Sequence, residues 1–171
     1  VLAFPWGQEK GEPSYRLRCW FWCPGEGDDS TAEKLRRKLY PWEQSGHVEF
    51  TDGNTIDLSR IEEVVKEAAS SFDLKGVNYD PWNAGATAQA LIAAGIAANP
   101  FTQNATHFNE PCRAFERAVV DGRLFHGGNP VLRWMASNCV ARINSAGYMM
   151  PDRKKSRDKI DGIPAAVMAL A

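Results

Sequence analysis

The sequence predicts an α/β fold in which a mixed central sheet is flanked by helices. Three observations support this prediction. Strand-like and helix-like segments alternate through the middle of the chain, which favours parallel strands joined by helices. The opening segments are apolar and aromatic, with a possible hairpin across residues 7–14, which favours antiparallel strands at one side of the sheet. The length of 171 residues fits a single domain.

The first elements follow from local patterns. Residues 1–4 are apolar and predict a strand, and residues 15–22 (YRLRCWFW) predict a second because they are rich in aromatic side chains. Prolines, glycines and acids at 24–29 predict a loop. Ser30 is predicted to cap a basic helix, because Glu33 follows three residues later.

The remaining elements are predicted in the same way. Residues 47–50 form a short strand, and Asp57 caps a helix whose apolar side chains have helical spacing. Apolar runs predict further strands, and small or amphipathic stretches predict further helices. These strands are expected at 74–79, 96–101 and 139–143, and these helices at 84–94, 110–120, 131–137 and 156–170.

Composition sets limits on the class of protein. With 44% hydrophobic and 24% charged residues the chain is typical of globular proteins, and it contains no apolar run of about 18 residues that would predict a membrane span. Residues 1–4 lack the basic start of a secretory signal, and we expect them to be a strand already under way in a longer protein. The net charge of −1 means that any nucleic-acid contact must use local positive charge. The four cysteines have no zinc-site spacing and are expected to be free thiols.

Asp80 is a first candidate for chemistry. It ends the apolar strand 74–79, and Pro81 keeps it extended and stops the strand. A carboxylate at the carboxyl end of a strand lies at the sheet edge where α/β proteins place ligands. The alternative is that Asp80 caps a helix or starts a turn, and its spacing alone favours this structural role.

A second candidate segment covers residues 152–161. It carries five cations and three carboxylates. The last of these acids, Asp161, lies at the start of a helix that is apolar further on, so its charge needs a partner such as a divalent metal, Lys159 or Arg157. The alternative is a solvated charged turn, with Asp161 near the positive end of the helix.

Taken together, the two segments are compatible with metal-assisted phosphodiester cleavage. Such sites use carboxylates from separate elements to hold two Mg²⁺ or Mn²⁺ ions, which prefer oxygen ligands. A basic run beside an acid suits a phosphate backbone.

Five stretches, in order along the chain, resemble the C-terminal nuclease domain of phage terminase large subunits of the HK97-type branch. They are FWCP (21–24), GNTID (53–57), YDPWNA (79–84), HGGNPVLRWMASN (126–138) and KSRDKIDGIPAAVMAL (155–170). Each is modest alone, and the last two are specific in combination. The resemblance implies a ribonuclease H-like fold over residues 1–171, a single nuclease domain with a two-metal acidic centre.

The resemblance also implies roles for residues. Asp80 and Asp161 would be catalytic metal ligands, with Asp158 as a supporting ligand, and Lys154, Lys155 and Lys159 would lie near the DNA backbone. The activity implied is cleavage of double-stranded DNA during phage genome packaging in the cytoplasm of the bacterial host. The implied partners are double-stranded DNA, an ATPase domain of the same chain, the portal protein and the small terminase subunit.

The sequence departs from the family pattern at its start. The family's first catalytic aspartate lies upstream of the stretch that residues 1–4 resemble, so we expect a domain truncated at its N-terminus and one carboxylate short. No phosphate-loop motif of an ATPase is present. Pro164 stands where the family more often has an aliphatic residue, and this departure concerns only the start of the last helix.

Two other functions are compatible with the sequence. One is a resolvase-like or transposase-like nuclease of the same fold, and the other is a module that docks on the portal or small subunit without cutting. For the motif around Gly127, a tight turn into a helix that starts at Pro130 is a better prediction than a ligand site. Trp134 on that helix is expected in the core.

Overall fold

The computed structural model describes residues 1–9, 11–27, 30–82 and 84–171. Asp28 and Asp29 of the predicted loop and Asn83 of the YDPWNA stretch lie outside this part of the chain. The elements, in order, are β1 (Leu2–Glu9), β2 (Glu12–Arg18), β3 (Trp22–Pro24), α1 (Ser30–Gln44), β4 (Glu49–Thr51), α2 (Leu58–Ser71), β5 (Val77–Tyr79), α3 (Gly85–Ala93), β6 (Ala98–Pro100), α4 (Ala105–Val120), β7 (Leu124–Phe125), α5 (Pro130–Asn138), β8 (Ala141–Ile143), β9 (Met149–Pro151) and α6 (Gly162–Met168).

The strands pair in both directions, as the sequence predicts. Strands β1 and β2 form the antiparallel hairpin, from Leu2 opposite Arg18 to Glu9 opposite Glu12. Strand β2 pairs on its other side with β7 in parallel. The pairs β3–β4 and β5–β6 are parallel, and β8–β9 is antiparallel. Each parallel connection contains a helix, which confirms a mixed α/β architecture.

Two groups of buried side chains hold these elements together. The first joins α1, α5 and α6 to the strands and includes Leu39, Val131 and Ala166. The second lies between α4, β9 and α6 and includes Phe108 and Val167. Helix α6 contributes to both groups, so this helix is held from two sides. Within the described residues, no helix is long and apolar enough to cross a membrane.

Most helix starts agree with the sequence. The side chain of Asp57 caps α2 by accepting a hydrogen bond from the N–H of Ser59 at 2.9 Å. Helix α4 begins five residues earlier than the predicted start at 110, because the Asn104 side chain caps it at the N–H of His107. The short strands β7 and β9 were not predicted.

The prediction of a helix over residues 156–170 is wrong at its start. Helix α6 covers Gly162–Met168, and the chain before it makes turns. The carbonyl of Asp152 accepts hydrogen bonds from the N–H and the hydroxyl of Ser156, at 3.1 and 2.7 Å. Pro164 then lies in the first turn of the helix, where proline is tolerated.

The turn before α5 is as predicted. Gly127 and Gly128 have positive φ angles of 64° and 74°, and Asn129 caps the helix by accepting from the N–H of Leu132 at 3.0 Å. Trp134 packs against the first core group beside Trp42, with ring centroids 5.5 Å apart. The cysteines are free, which confirms that prediction.

His126 lies just before this turn, and from the burial of its ring we predict that the stability of the domain depends on pH. Burial lowers the pKa of His126, and the nearby Arg133 charge lowers it further. The unfolded chain, in which the pKa of His126 has its ordinary value of 6.5, therefore binds this proton more readily than the folded chain. The free energy of unfolding consequently falls as the pH drops through 6.5 towards the lower pKa of the folded state. Urea unfolding at pH 7.5 and 5.5 tests this. His126→Gln is expected to lose less stability than wild type, and an equal loss would contradict the assignment.

Candidate functional site

A cavity of about 1240 Å³ lies between β1 and β5. Residues 1–5 and 73–80 line it without a break. Successive side chains of a strand point to opposite faces, so a cavity against one face would contact only every second residue. The unbroken runs therefore indicate that the edges of β1 and β5 border the cavity. The apolar sides of α2 and α6 cover it, through side chains such as Val64, Ala68 and Met168. Asp80 and Asp161, the two acids singled out from the sequence, both line this cavity.

Asp80 follows directly after β5 and is exposed. Its carboxylate accepts hydrogen bonds from the N–H of Trp82 at 3.1 Å and from the side chain of Gln103 at 2.8 Å. The strand beneath it is fixed by pairing with β6, and the N–H of Phe101 donates to the carbonyl of Tyr79 at 2.8 Å. The strand end therefore holds the carboxylate at the cavity while its oxygens stay accessible.

Asp161 immediately precedes α6, and its side chain is 55% exposed. It makes an ion pair with Arg153. The residues on either side are buried, so the backbone at this position is fixed. Ile160 is 2% exposed, and a Cβ atom on Gly162 would lie only 2.9 Å from the ring of Phe21. Any larger residue after this acid would thus force its neighbours to shift.

Buried Asn138, at the end of α5, connects the two most specific stretches of the sequence. Its side-chain amide donates to the backbone carbonyl of Lys159 at 3.0 Å, and its backbone carbonyl accepts from the N–H of Arg157 at 3.3 Å. An asparagine at the end of α5 therefore holds the segment that leads into Asp161. This contact gives a physical reason for the co-occurrence of MASN and KIDG.

A second asparagine brings the strand and the helix together. The side chain of Asn78 in β5 donates to the carbonyl of Met168 in α6 at 2.7 Å. Asp80 lies two residues beyond Asn78, and Asp161 immediately precedes the same helix. This hydrogen bond joins β5 to the end of α6, and the acids that flank these two elements both line the cavity.

Asp158 lies in a different environment. It is paired with Lys38 of α1 and accepts a hydrogen bond from the N–H of Lys159 at 2.8 Å. Partial burial raises its pKa, but these two hydrogen bonds and the lysine charges outweigh that effect, so the pKa of Asp158 is below its ordinary value. Asp158 is not among the residues that line the cavity.

The three lysines singled out from the sequence are exposed on the same segment. Lys154, Lys155 and Lys159 are not among the cavity-lining residues, although their neighbour Arg153 is. Sequence reasoning missed Arg153. Arg153 belongs to the same basic run, but the sequence does not show which cation of this run faces the cavity and which face solvent. Only the fold makes that distinction.

The groups at the cavity that could bind a metal ion are the oxygens of carboxylate and amide side chains. Asn99 and Gln103 also line it. In the described part of the chain, no group of three or more His, Cys, Asp or Glu side chains is arranged to hold a metal ion. The carboxylates of Asp73, Asp80 and Asp161 nevertheless line the cavity, and carboxylates are ligands that hard divalent cations prefer.

Comparisons with known proteins agree with this picture. Residues 19–171 match the family model "Terminase large subunit, endonuclease domain". The chain is 31% identical over 147 residues to Protein YmfN of Escherichia coli K12, covering 84% of this chain and 31% of that protein. It is 26% identical over 152 residues to the terminase large subunit of Enterobacteria phage HK97, covering 88% of this chain and 30% of that protein. The chain thus spans about a third of the length of these curated relatives.

The fold has a close match among solved structures. The crystal structure of the HK97 bacteriophage large terminase superposes with a TM-score of 0.81 at 24% identity, over 98% of this chain and 35% of that one. This match confirms the predicted ribonuclease H-like mixed α/β fold. From the family match over residues 19–171, the chain belongs to the endonuclease domain family of terminase large subunits.

Proposed function

We propose that this domain is a metal-dependent endonuclease that hydrolyses double-stranded DNA during phage genome packaging, in the cytoplasm of the bacterial host. One observation carries the proposal. In a member of the terminase endonuclease family, Asp80 and Asp161, which come from distant parts of the sequence, line the same cavity.

The residues present fit Mg²⁺ or Mn²⁺ in the chemistry of their donors. Asp80 and Asp161 would be the ligands, and both carboxylates reach solvent through the cavity. Two bound ions would activate a water molecule and stabilise the charge that develops on the phosphate. Asp158 would support the site only after giving up its pairing with Lys38.

The chain's own residues prepare the site for this chemistry. Gln103 orients the Asp80 carboxylate through the 2.8 Å hydrogen bond. Gly162 and Asn138 fix the backbone on both sides of Asp161. Such support holds ligands in a productive geometry before the substrate arrives.

Lys154, Lys155 and Lys159 would contact the DNA backbone. They are exposed on the segment that leads from the cavity edge at Arg153 towards Asp161. Contacts to phosphates carry no base information. Cleavage of duplex DNA with little sequence preference is therefore expected from this surface.

We further propose that a longer polypeptide completes the site. The chain spans about a third of its curated relatives, and ions held by Asp80 and Asp161 would take further oxygen ligands. The edges of β1 and β5 that face the cavity would accept a further strand carrying it. The same polypeptide would include the ATPase domain and bind the portal protein and the small terminase subunit.

A docking module without nuclease activity is the second candidate. The observation that favours it is the lack of a group of three metal-binding side chains among the described residues. Titration of Mn²⁺ into residues 1–171 separates the two functions. Binding weakened by Asp161→Asn supports the nuclease, and no binding at millimolar Mn²⁺ supports docking.

The cleavage reaction itself is tested on plasmid DNA. A polypeptide that extends this chain with its flanking coding sequence is expected to nick supercoiled plasmid in Mn²⁺ or Mg²⁺ and to be inactive in EDTA. It should cut linear duplex as readily as a four-way junction. A strong preference for the junction would instead indicate a resolvase-like or transposase-like nuclease, and cleavage in EDTA would contradict metal dependence.

A further inference from the structure

Arg153 and Asp161 form an ion pair at the cavity wall. Both side chains line the cavity, and they are 60% and 55% exposed. The guanidinium therefore occupies an oxygen of the same carboxylate that the proposed function assigns to a metal. A cation and Arg153 would compete for Asp161.

The backbone at Arg153 is held firmly although its side chain is exposed. The neighbouring residue Asp152 is 9% exposed. Its N–H donates to the carbonyl of Val140 at 2.7 Å, and its carboxylate accepts from the N–H of Lys154 at 3.0 Å. The backbone beside Arg153 is thus held next to the start of β8, while the long side chain of Arg153 extends to the cavity.

The pair is of a kind that breaks easily. Exposed ion pairs contribute little to stability, because solvent screens the charges and the side chains lose freedom. A divalent ion offers the carboxylate twice the charge of the guanidinium. Once released, the planar fork of an arginine matches two oxygens of a phosphate better than a lysine does.

We propose that Arg153 exchanges partners: it holds Asp161 while the cavity is empty and moves to a backbone phosphate of duplex DNA when a divalent ion binds Asp161. This inference rests on the proposed function. It assigns to Arg153 a positioning role that couples metal binding to DNA binding.

The metal half of the exchange is tested with Mn²⁺ alone. In residues 1–171, Arg153→Gln removes the competitor and is expected to bind Mn²⁺ roughly twofold to fivefold more tightly by calorimetry. Arg37→Gln is the matched control, since it breaks a similarly exposed ion pair, with Glu33, on α1. That control should leave Mn²⁺ affinity unchanged.

The DNA half is tested with a fluorescent 30-base-pair duplex, over a time in which the duplex stays intact on a denaturing gel. In Mn²⁺, Arg153→Gln is expected to bind more weakly than wild type, with the slope of log affinity against log salt shallower by about 0.9, as for one lost phosphate contact. In EDTA, where Asp161 retains the guanidinium, the same substitution should change neither quantity.

The outcomes separate the inference from the proposed function. If wild type binds Mn²⁺ through Asp161 but Arg153→Gln binds no more tightly, the exchange is wrong and the metal site stands. The exchange is also wrong if Arg153→Gln weakens DNA binding equally in Mn²⁺ and in EDTA. If neither protein binds Mn²⁺, Asp80 and Asp161 do not form a metal site within residues 1–171, and the exchange fails with it.

Discussion

Asp161→Asn and Asp80→Asn are each expected to weaken Mn²⁺ binding to residues 1–171 by at least about tenfold. In a longer polypeptide that nicks plasmid, each is expected to reduce the rate by about 100-fold or more. Loss of groups that merely support a metal ligand already lowers affinity or activity 10–100-fold. Loss of a ligand's charge should have at least that effect.

The asparagine substitution separates metal chemistry from folding. At position 80 an amide oxygen can still accept from the N–H of Trp82, and both sites are exposed, so unfolding by urea should change little. Asp73→Asn is the matched control, because Asp73 lines the same cavity but is paired with Lys75 and has no assigned ligand role. If Asp73→Asn weakens Mn²⁺ binding as much as Asp161→Asn, the effect is one of general charge and the ligand assignment is wrong.

Local patterns were sufficient for much of the fold. The Asp57 cap and the turn at Gly127 and Gly128 depend on neighbours in sequence, so residue type alone predicts them. Strand β7 has two residues and exists because β2 pairs with it. No periodicity in two residues could predict a pairing partner more than a hundred positions away.

The site was predicted less completely, for a similar reason. Asp80 and Asp161 had structural alternatives on spacing alone, and it was the family resemblance that selected them. Both line one cavity, and the elements beside them, β5 and α6, are joined by the long-range hydrogen bond from Asn78 to the carbonyl of Met168. Asp158 and Arg153 lie on one short segment, yet Asp158 pairs with Lys38 and Arg153 reaches the cavity. Which side chain of a charged turn faces a ligand site is decided by the surrounding fold.

Motifs that look functional can thus be structural in part. The glycine of KIDG has no positive φ angle, so backbone conformation does not require it. Its N–H lies 3.0 Å from the sulfur of Met135, and its α-carbon packs among the side chains of α5. The glycine allows α6 to approach α5 closely, while the side chain of the acid beside it stays exposed.

Gly162→Val should therefore destabilise the domain by about 1–3 kcal/mol through overpacking. A Cβ atom there would lie 2.9, 3.0 and 3.1 Å from side-chain atoms of Phe21, Met135 and Leu132, so these side chains must shift, and we expect the start of α6, with Asp161, to move as well. Urea unfolding measures the first effect, and calorimetry with Mn²⁺ on the folded variant measures the second, which is expected to be weaker binding.

The matched control for Gly162→Val is Gly85→Val. Both glycines are the first residues of their helices, and a Cβ atom on Gly85 would meet nothing within 4 Å. Because valine is not a poorer helix former than glycine, this control should change stability by less than about 0.5 kcal/mol. Equal destabilisation by the two substitutions would mean that the helix start, and not the packing of α6 on α5, sets the cost. In that case close packing would no longer explain why glycine follows the candidate metal ligand.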